Sequence, residues 1–258
     1  MNHHVSPKKS LGQHFLADGN IARKIAGSLT GHGQYTRVLE IGPGTGILSV
    51  PLMENDQFEW YGMDIDRESI EYLRAKYPDD ASRIIQGDFL SYDLRSLIGE
   101  KPLGIIGNFP YNISTQIMFR VLENRKFIPE LVGMFQKEVA RRIASPPGSK
   151  EYGILSVLVQ AFYDVSILFQ VEPHVFIPPP KVQSAVIRCK LKEQQGLACD
   201  EACFFRVVKT GFNQRRKTLR NSLKKLGVDW DLLPAELAGE RPERLGVEEF
   251  VLIASKLT

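Results

Sequence analysis

The stretch that decides the fold is RVLEIGPGTG, residues 37–46. It reads as a short buried strand followed at once by Gly42, Gly44 and Gly46, and residues 47–54 then have helical character. A second predicted strand, 58–63, runs into Asp64. Glycines after a strand allow a ligand to approach the backbone, and an acid about 20 residues further on reaches ribose hydroxyls in Rossmann-like sheets. The unit predicts a nucleoside site, although a GxGxG sequence alone also fits a tight turn.

The same alternation of strand and helix continues along the chain. Helices are predicted at 19–29, 68–77, 114–124, 137–144 and 152–163, and strands at 83–86, 103–107, 131–135, 165–171 and 184–191. Alternating elements are joined by right-handed crossovers, which give a mainly parallel sheet. We therefore predict an α/β, Rossmann-like domain over residues 1–192. Residues 176–181 are proline-rich and are predicted to be a stiff connection without strand, because proline cannot donate to a sheet ladder.

Residues 193–258 have a different pattern. Residues 192–200 are polar and suit a linker, and beyond them only helical spacing is found. Six apolar residues recur at intervals of three or four: Leu219, Leu223, Leu226, Phe250, Ile253 and Leu257. We predict a small all-helical C-terminal domain.

Composition excludes several classes of protein. The net charge is only +3, no apolar run is long enough to span a membrane, and the N-terminus lacks the features of a secretory signal. The three cysteines suit free thiols in a reducing compartment, and His3 and His4 at the terminus make a poor metal site. We expect a cytoplasmic monomer with no metal, no disulfide, and no membrane or DNA partner.

Basic residues are concentrated between positions 205 and 225, a stretch that contains no acid. It holds Arg206, Lys209, Arg215, Arg216, Lys217, Arg220, Lys224 and Lys225. A basic run is often only a solvated helix face, but such a face normally carries interleaved acids. We therefore expect a polyanion contact here, with Arg215, Arg216, Lys217 and Arg220 as candidates.

Polar residues also follow the next predicted strands. Asp88 comes after the strand at 83–86, and Asn108 comes after the strand at 103–107. Carboxyl ends of parallel strands meet at one edge of a sheet, so these side chains are expected beside Asp64 and the glycine loop. Asp88 suits the exocyclic amine of an adenine, although by itself it also suits a turn. The ordered series indicates nucleoside binding.

Residues 108–111, Asn-Phe-Pro-Tyr, are similar to the Asn/Asp/Ser-Pro-Pro-aromatic motif of amino-methyltransferases, with Phe109 in place of the first proline. The lone pair of adenine N6 is delocalised into the ring, so the nitrogen is a poor nucleophile. Acceptors on Asn108 and on the carbonyl of Pro110 suit the two N6 hydrogens. Tyr111 suits stacking on a looped-out base, with Phe176 as the opposite wall.

Six motifs together resemble the bacterial 16S ribosomal RNA adenine dimethyltransferase family. They are KKSLGQHFL at 8–16, LEIGPGTG at 39–46, NFPYNIS at 108–114, QKEVA at 136–140, PPPKV at 178–182 and FNQRRKTLRNSL at 212–223. The resemblance implies a class I methyltransferase fold that uses S-adenosyl-L-methionine. It also implies transfer of two methyls to each of two adjacent adenosines in a hairpin loop near the 3′ end of small-subunit RNA.

The resemblance also implies site residues. His14, Leu16, Gly42, Gly44, Asp64, Asp88 and Asn108 would line the cofactor site. The family usually has Asn where this chain has His14 and Glu where it has Asp64, which weakens those two assignments. Lys8 and Lys9 join the basic cluster as candidates for contacts with RNA phosphates. The expected partner is 16S ribosomal RNA within the immature 30S subunit.

Two other functions compete with this one. A relative that methylates 23S RNA and confers macrolide resistance shares the cofactor motifs, but residues 212–223 resemble the small-subunit family. A non-catalytic RNA-binding assembly factor on the same fold is the second alternative, and intact Asn108, Pro110 and Tyr111 argue against it.

Overall fold

A computed structural model of the chain describes residues 5–99, 101–194 and 196–257. The chain divides into two compact units. The first comprises Met1–Ala140 and Ser166–Leu191, and the second comprises Arg141–Val165 and Lys192–Thr258. The predicted boundary at 192 falls at the last change of unit, but residues 141–165, predicted within the catalytic domain, group with the C-terminal residues.

Among the described residues the strands form one large sheet and one small one. The strands are β1 (Phe15–Leu16), β2 (Arg37–Ile41), β3 (Glu59–Asp64), β4 (Ile84–Gln86), β5 (Leu103–Asn108), β6 (Glu130–Gln136), β7 (Tyr163–Val171), β8 (Phe176–Ile177) and β9 (Ser184–Leu191). The large sheet has the order β4-β3-β2-β5-β6-β9-β7. In that order, the five neighbouring strands β4, β3, β2, β5 and β6 pair in parallel, and β9 runs antiparallel to β6. The predicted α/β, mainly parallel architecture is confirmed.

The helices predicted before residue 192 are present near their predicted bounds, and one further helix, α4, was not predicted. The helices are α1 (Gly19–Ala26), α2 (Ser49–Met53), α3 (Arg67–Lys76), α4 (Leu94–Ile98), α5 (Ser114–Glu123), α6 (Lys137–Ala144), α7 (Ile154–Phe162), α8 (Glu201–Asn213), α9 (Leu219–Ser222) and α10 (Val247–Ala254). Asp18 caps α1 through bonds from the Asn20 and Ile21 amides, as its position before the helix predicts. No helix in the described ranges is long and apolar enough to cross a membrane.

The strand register brings the functional residues together. Ile41 lies beside Met63, Asp64 beside Gln86, and Asn108 beside Met134. The carboxyl ends of β2, β3, β4 and β5 therefore lie along one edge of the sheet, where the loops that follow them face the same space.

A buried carboxyl ties three elements of the first unit. Glu40 on β2 is 1% exposed and accepts hydrogen bonds from Ser49 Oγ on α2 at 2.7 Å and from Trp60 Nε1 on β3 at 2.9 Å. Burial raises the pKa of Glu40 to about 7, against the lowering effect of these two bonds. The bonds fix the helix that follows the glycine loop against the sheet.

The proline-rich segment corrects one prediction. Its first two residues, Phe176 and Ile177, form β8, which pairs antiparallel with β1. These residues precede the prolines and keep their N–H groups, so the rule against proline in a ladder does not apply to them.

The C-terminal part of the second unit is helical, as predicted. Between α9 and α10 it is made of short 3₁₀ turns. Leu219, Leu223, Phe250 and Ile253 are completely buried, while Leu226 and Leu257 are partly exposed. Most of the predicted apolar positions therefore build the core of this unit.

Candidate active site

A cavity opens at the carboxyl edge of the sheet in the first unit. Its lining comes from residues 11–15 and from the loops after β2, β3, β4 and β5. The lining residues are Leu11, Gly12, Gln13, His14, Phe15, Gly42, Gly44, Asp64, Ile65, Asp88, Leu90, Asn108, Phe109, Pro110, Tyr111, Asn112 and Ile113. Eight residues proposed from the sequence for cofactor or base binding are thus brought together.

Asp64 and the glycine loop form the floor of the cavity. Asp64 is 6% exposed, and its two oxygens accept bonds from the amides of Gly44 at 3.3 Å and Asp66 at 2.9 Å. Burial raises its pKa to about 6. A ligand with neighbouring hydroxyls would add donors to this carboxylate and favour its ionised form.

Gly44 is required by both conformation and space. Its φ is 55°, and a Cβ there would lie 2.8 Å from Cε1 of Phe15. The ring of Phe15 therefore packs directly on the loop backbone, which no other residue would allow. The loop and the N-terminal segment therefore lie against each other, and both line the cavity.

Asp88 is both a turn former and a cavity residue. Its Oδ1 accepts the amide of Leu90 at 2.9 Å, which shapes the loop after β4. The bond holds one oxygen and leaves Oδ2 available to an amine donor at the cavity wall. The two interpretations of this residue are compatible.

The side-chain amide of Asn108 is oriented by the N-terminal segment. Its Nδ2 donates to the backbone oxygen of His14 at 2.8 Å. Because a carbonyl oxygen only accepts, the nitrogen must face His14, and Oδ1 is left as an acceptor. The carbonyl of Pro110 accepts the Ile113 amide at 3.2 Å and keeps a second lone pair. The two acceptors proposed for the N6 hydrogens both line the cavity.

Tyr111 is held by a hydrogen bond at its hydroxyl and by a contact of its ring. Its hydroxyl hydrogen-bonds to Ser184 Oγ at 2.6 Å, and its ring lies 5.3 Å from the His14 ring at 31°. Burial raises the pKa of Tyr111, so the phenol stays neutral. A neutral ring with fixed orientation suits stacking on a base.

Phe109, which stands where the related motif has proline, is an anchor. It is 1% exposed and meets Phe135 edge-on at 5.1 Å. A Cβ on Gly107 or Gly133 would approach its ring closer than 3.0 Å. The two glycines therefore make room for Phe109, which pins residues 108–111 to the ends of β5 and β6.

His14 lies at the cavity wall with a defined tautomer. Its Nδ1 is 2.8 Å from the carbonyl oxygen of Pro178. A carbonyl cannot donate, so Nδ1 carries the proton of this hydrogen bond. The histidine, which stands where the family usually has asparagine, is oriented by this bond.

Two proposed site residues lie elsewhere. Leu16 and Phe176 face each other across β1 and β8 and are 4% and 1% exposed. Both belong to the hydrophobic core, and neither lines the cavity. The Phe176 ring is thus buried beside β1 in this structure, and its place as a wall opposite Tyr111 stays a prediction.

The basic candidates divide into paired and exposed residues. Lys8 Nζ lies 2.6 Å from Asp66 Oδ1 and 3.2 Å from Glu68 Oε1, so it is engaged within the protein. In the second unit, Arg215 Nε is 3.7 Å from Glu243, and its guanidinium donates to the Lys150 carbonyl at 3.1 Å. The remaining candidates are exposed: Lys9, Arg216, Lys217 and Arg220.

Several residues in the cavity lining or next to it were not proposed from the sequence. Gln13 and Asp66 act through hydrogen bonds between distant segments, which leave no local pattern. Ile65 could have been proposed from the sequence, because it directly follows the acid that ends a predicted strand. In the structure it lines the cavity and is 55% exposed. No cluster suited to a metal ion occurs in the described ranges, and His3 and His4 lie outside them.

Comparison with known proteins identifies the group to which this sequence is similar. A family model described as ribosomal RNA adenine dimethylase matches residues 5–235. Curated proteins named ribosomal RNA small subunit methyltransferase A are 53% identical in Cytophaga hutchinsonii, over 98% of this chain and 98% of the relative, and 53% identical in Flavobacterium johnsoniae, over 98% and 96%.

Solved structures share the fold. A dimethyladenosine transferase from Plasmodium falciparum has a TM-score of 0.77 at 23% identity and covers 93% of this chain and 96% of its own. The 23S rRNA methyltransferase ErmE has a TM-score of 0.72 at 23% identity, with 94% and 99% coverage. The fold is thus that of Rossmann-like class I methyltransferases, as the motifs implied. With a family model matching most of its length and relatives about half identical, the chain belongs to the ribosomal RNA adenine dimethylase family.

Proposed function

We propose that this enzyme uses S-adenosyl-L-methionine to dimethylate N6 of two adjacent adenosines in a hairpin loop near the 3′ end of 16S ribosomal RNA. The observation that carries the proposal is the orientation of Asn108. Its amide nitrogen is held by the His14 carbonyl, so Oδ1 is left as an acceptor beside Pro110 and Tyr111, in the cavity that also holds Asp64.

The strand-end acids suit the cofactor. Bound S-adenosyl-L-methionine supplies an electrophilic methyl group on a sulfonium. Asp64 would accept hydrogen bonds from the ribose hydroxyls, Asp88 would accept one from the adenine amine, and the amides around Gly42 and Gly44 allow close approach. Burial keeps the Asp64 carboxylate in one position, where its bonds to Gly44 and Asp66 already orient it.

The tetrapeptide suits the target base. Asn108 Oδ1 and the Pro110 carbonyl would accept the two N6 hydrogens and favour a more tetrahedral nitrogen, while Tyr111 stacks on the ring. Catalysis would come mainly from positioning, with no covalent intermediate on the protein. The methylated nitrogen is acidic, so its proton passes to water without a strong general base.

The small subunit is the proposed substrate, instead of 23S RNA. Several curated relatives that are 49–53% identical carry the small-subunit name, whereas the likeness to ErmE, at 23% identity, concerns the fold. The exposed Lys9, Arg216, Lys217 and Arg220 supply positive charge for RNA phosphates. We propose the immature 30S particle as the partner, with the enzyme acting as a cytoplasmic monomer.

Methyl transfer to undermethylated 30S particles tests the proposal. The purified chain is incubated with these particles and labelled S-adenosyl-L-methionine, and the modified RNA is mapped by mass spectrometry. We expect N6,N6-dimethyladenosine at two adjacent positions near the 3′ end of 16S RNA. Label in 23S RNA, or particles that bind the protein without being methylated, would overturn the proposal in favour of one of the two alternatives.

A further inference from the structure

A polar contact joins the N-terminal segment to the turn that carries Asp64. Lys8 Nζ is 2.6 Å from Asp66 Oδ1, and Gln13 Nε2 is 3.2 Å from Asp66 Oδ2. Gln13 Oε1 in turn accepts the backbone amide of Lys8 at 2.8 Å. Both oxygens of Asp66 are therefore engaged by two residues that are more than fifty positions away in sequence.

Asp66 directly follows the cavity residues Asp64 and Ile65 and is itself buried. Its side chain is 2% exposed, its Oδ1 also caps α3 by accepting the Glu68 amide, and its own amide donates to Asp64 Oδ1 at 2.9 Å. Burial opposes its ionisation, but the bonds from Lys8 and Gln13 outweigh burial, and the pKa of Asp66 is lowered. It is thus a fixed negative charge to which the N-terminal segment is attached.

The attached segment forms one wall of the cavity. Residues 11–15, the wall segment, contribute five consecutive lining residues. At its far end the chain is held by backbone pairing of β1 with β8, where Phe15 lies beside Ile177. On the other side it is held by Lys8, which precedes the segment, and by Gln13 within it, both through Asp66. The Lys8 side chain is 35% exposed. A partly exposed ion pair is weaker and more sensitive to salt than a backbone ladder, so the wall segment opens more easily at this end.

We infer that Lys8, Gln13 and Asp66 form a latch that holds the wall segment closed and sets how long the cofactor stays bound. The inference rests on the proposed function, because that function names the cofactor. Dimethylation of two adenosines needs repeated exchange of spent for fresh cofactor, and each exchange requires the cavity to open. Lys8, Gln13 and Asp66 are positioning residues in this scheme.

Cofactor release from the full chain tests the latch. The probe is S-adenosylhomocysteine, and its dissociation rate is measured by surface plasmon resonance for the wild type, Lys8→Met, Lys8→Arg and Arg37→Met. Arg37 is the matched control, since its Nε pairs with Glu59 at 3.0 Å near the amino end of β2, away from the cavity. Hydrogen exchange of amides 9–16 is measured in parallel without the probe.

We expect Lys8→Met to release the probe about two- to fivefold faster and to lose protection at 9–16, as loss of one partly exposed charged contact allows. Lys8→Arg should restore most of the wild-type rate, and Arg37→Met should not change it. Added salt should speed release from the wild type more than from Lys8→Met. A folded Lys8→Met protein with wild-type release and wild-type exchange would overturn the latch alone. A wild type that does not bind S-adenosylhomocysteine would overturn the proposed function and the latch together.

Discussion

At the level of single residues, the orientation of the Asn108 side-chain amide is set by a hydrogen bond to a residue 94 positions away in sequence. An asparagine side chain presents a donor and an acceptor in almost the same shape, so its identity alone does not say which of them faces a ligand. The His14 carbonyl decides this, because it can only accept. The N-terminal segment thereby leaves the Oδ1 acceptor of Asn108 unengaged by His14, at the cavity that Asn108 lines.

Asn108→Ala should lower kcat for methylation of 30S particles by about 10²- to 10³-fold at saturating cofactor, the loss typical of removing one preorganised group from a reacting centre. Binding of RNA should remain, because the residues proposed to contact RNA phosphates lie elsewhere. The measurement is single-turnover transfer together with an RNA-binding titration.

Asn124→Ala provides the control for this variant. Asn124 Nδ2 also donates to a backbone carbonyl, that of Arg120, at 2.9 Å at the end of α5. Its loss removes a similar hydrogen bond without touching the cavity, so transfer should be unchanged. Full activity of Asn108→Ala would remove Asn108 from its proposed role.

At the level of elements, Glu40 links β2, α2 and β3 through its bonds to Ser49 and Trp60. Its pKa is raised from 4.5 in its ordinary state to about 7 in the folded protein. Between these pH values the folded chain holds a proton that the unfolded chain has released. The unfolding free energy therefore falls as pH rises from about 4.5 to 7 and is constant above that range as far as Glu40 is concerned.

Glu40→Gln should remove this pH dependence. Glutamine keeps an oxygen for Ser49 and Trp60 but does not ionise, so the variant should gain stability over the wild type as pH rises through the window, by up to about 3 kcal/mol. Urea unfolding at pH 5, 6, 7 and 8 measures the difference. Asp64, with its pKa near 6, also titrates in both proteins, and its charge adds to the raised pKa of Glu40, so the comparison reports Glu40 together with this coupling.

Glu54→Gln is the control for this measurement. Glu54 is an exposed acid at the end of α2, and its neutralisation should not change the pH dependence. A difference between Glu40→Gln and the wild type that is the same at every pH would contradict the assignment of the buried charge.

At the level of the whole molecule, the charge distribution matters more than the net charge of +3. The first unit carries the cavity, and the second carries the exposed Arg216, Lys217 and Arg220. Arg215 is partly neutralised by Glu243, so it is a weaker candidate for RNA than its neighbours.

Neutralising Arg216 and Lys217 to glutamine should weaken binding to the small-subunit RNA and reduce the slope of log K against log salt by about 1.4 to 1.8, the change expected for two lost phosphate contacts. Binding is measured between 50 and 200 mM salt, the range over which such contacts are resolved. Lys101→Gln with Lys126→Gln is the matched control, because both lysines are exposed just before β5 and β6 at the opposite sheet edge from the cavity. Equal slopes for the two double variants would exclude Arg216 and Lys217 from the interface.

Most of the architecture could be predicted from local sequence patterns. Apolar periodicity and the glycine loop placed β2, β3 and β5 within a residue or so, and strand alternation implied that Asp64, Asp88 and Asn108 meet at one edge. These inferences succeed because the periods of strands and helices, and the conformations open to glycine, are local properties of the chain.

Which side chains are buried, paired or free to bind a ligand could not be predicted in this way and depends on the folded chain. The tertiary structure turned Phe176 into the core, paired Lys8 with Asp66, oriented Asn108 through His14, and grouped residues 141–165 with the C-terminal unit. The physical reason is the same in each case. The partner lies far away in the chain, so burial, charge pairing and hydrogen-bond direction are set by packing between segments and leave no mark on local sequence pattern.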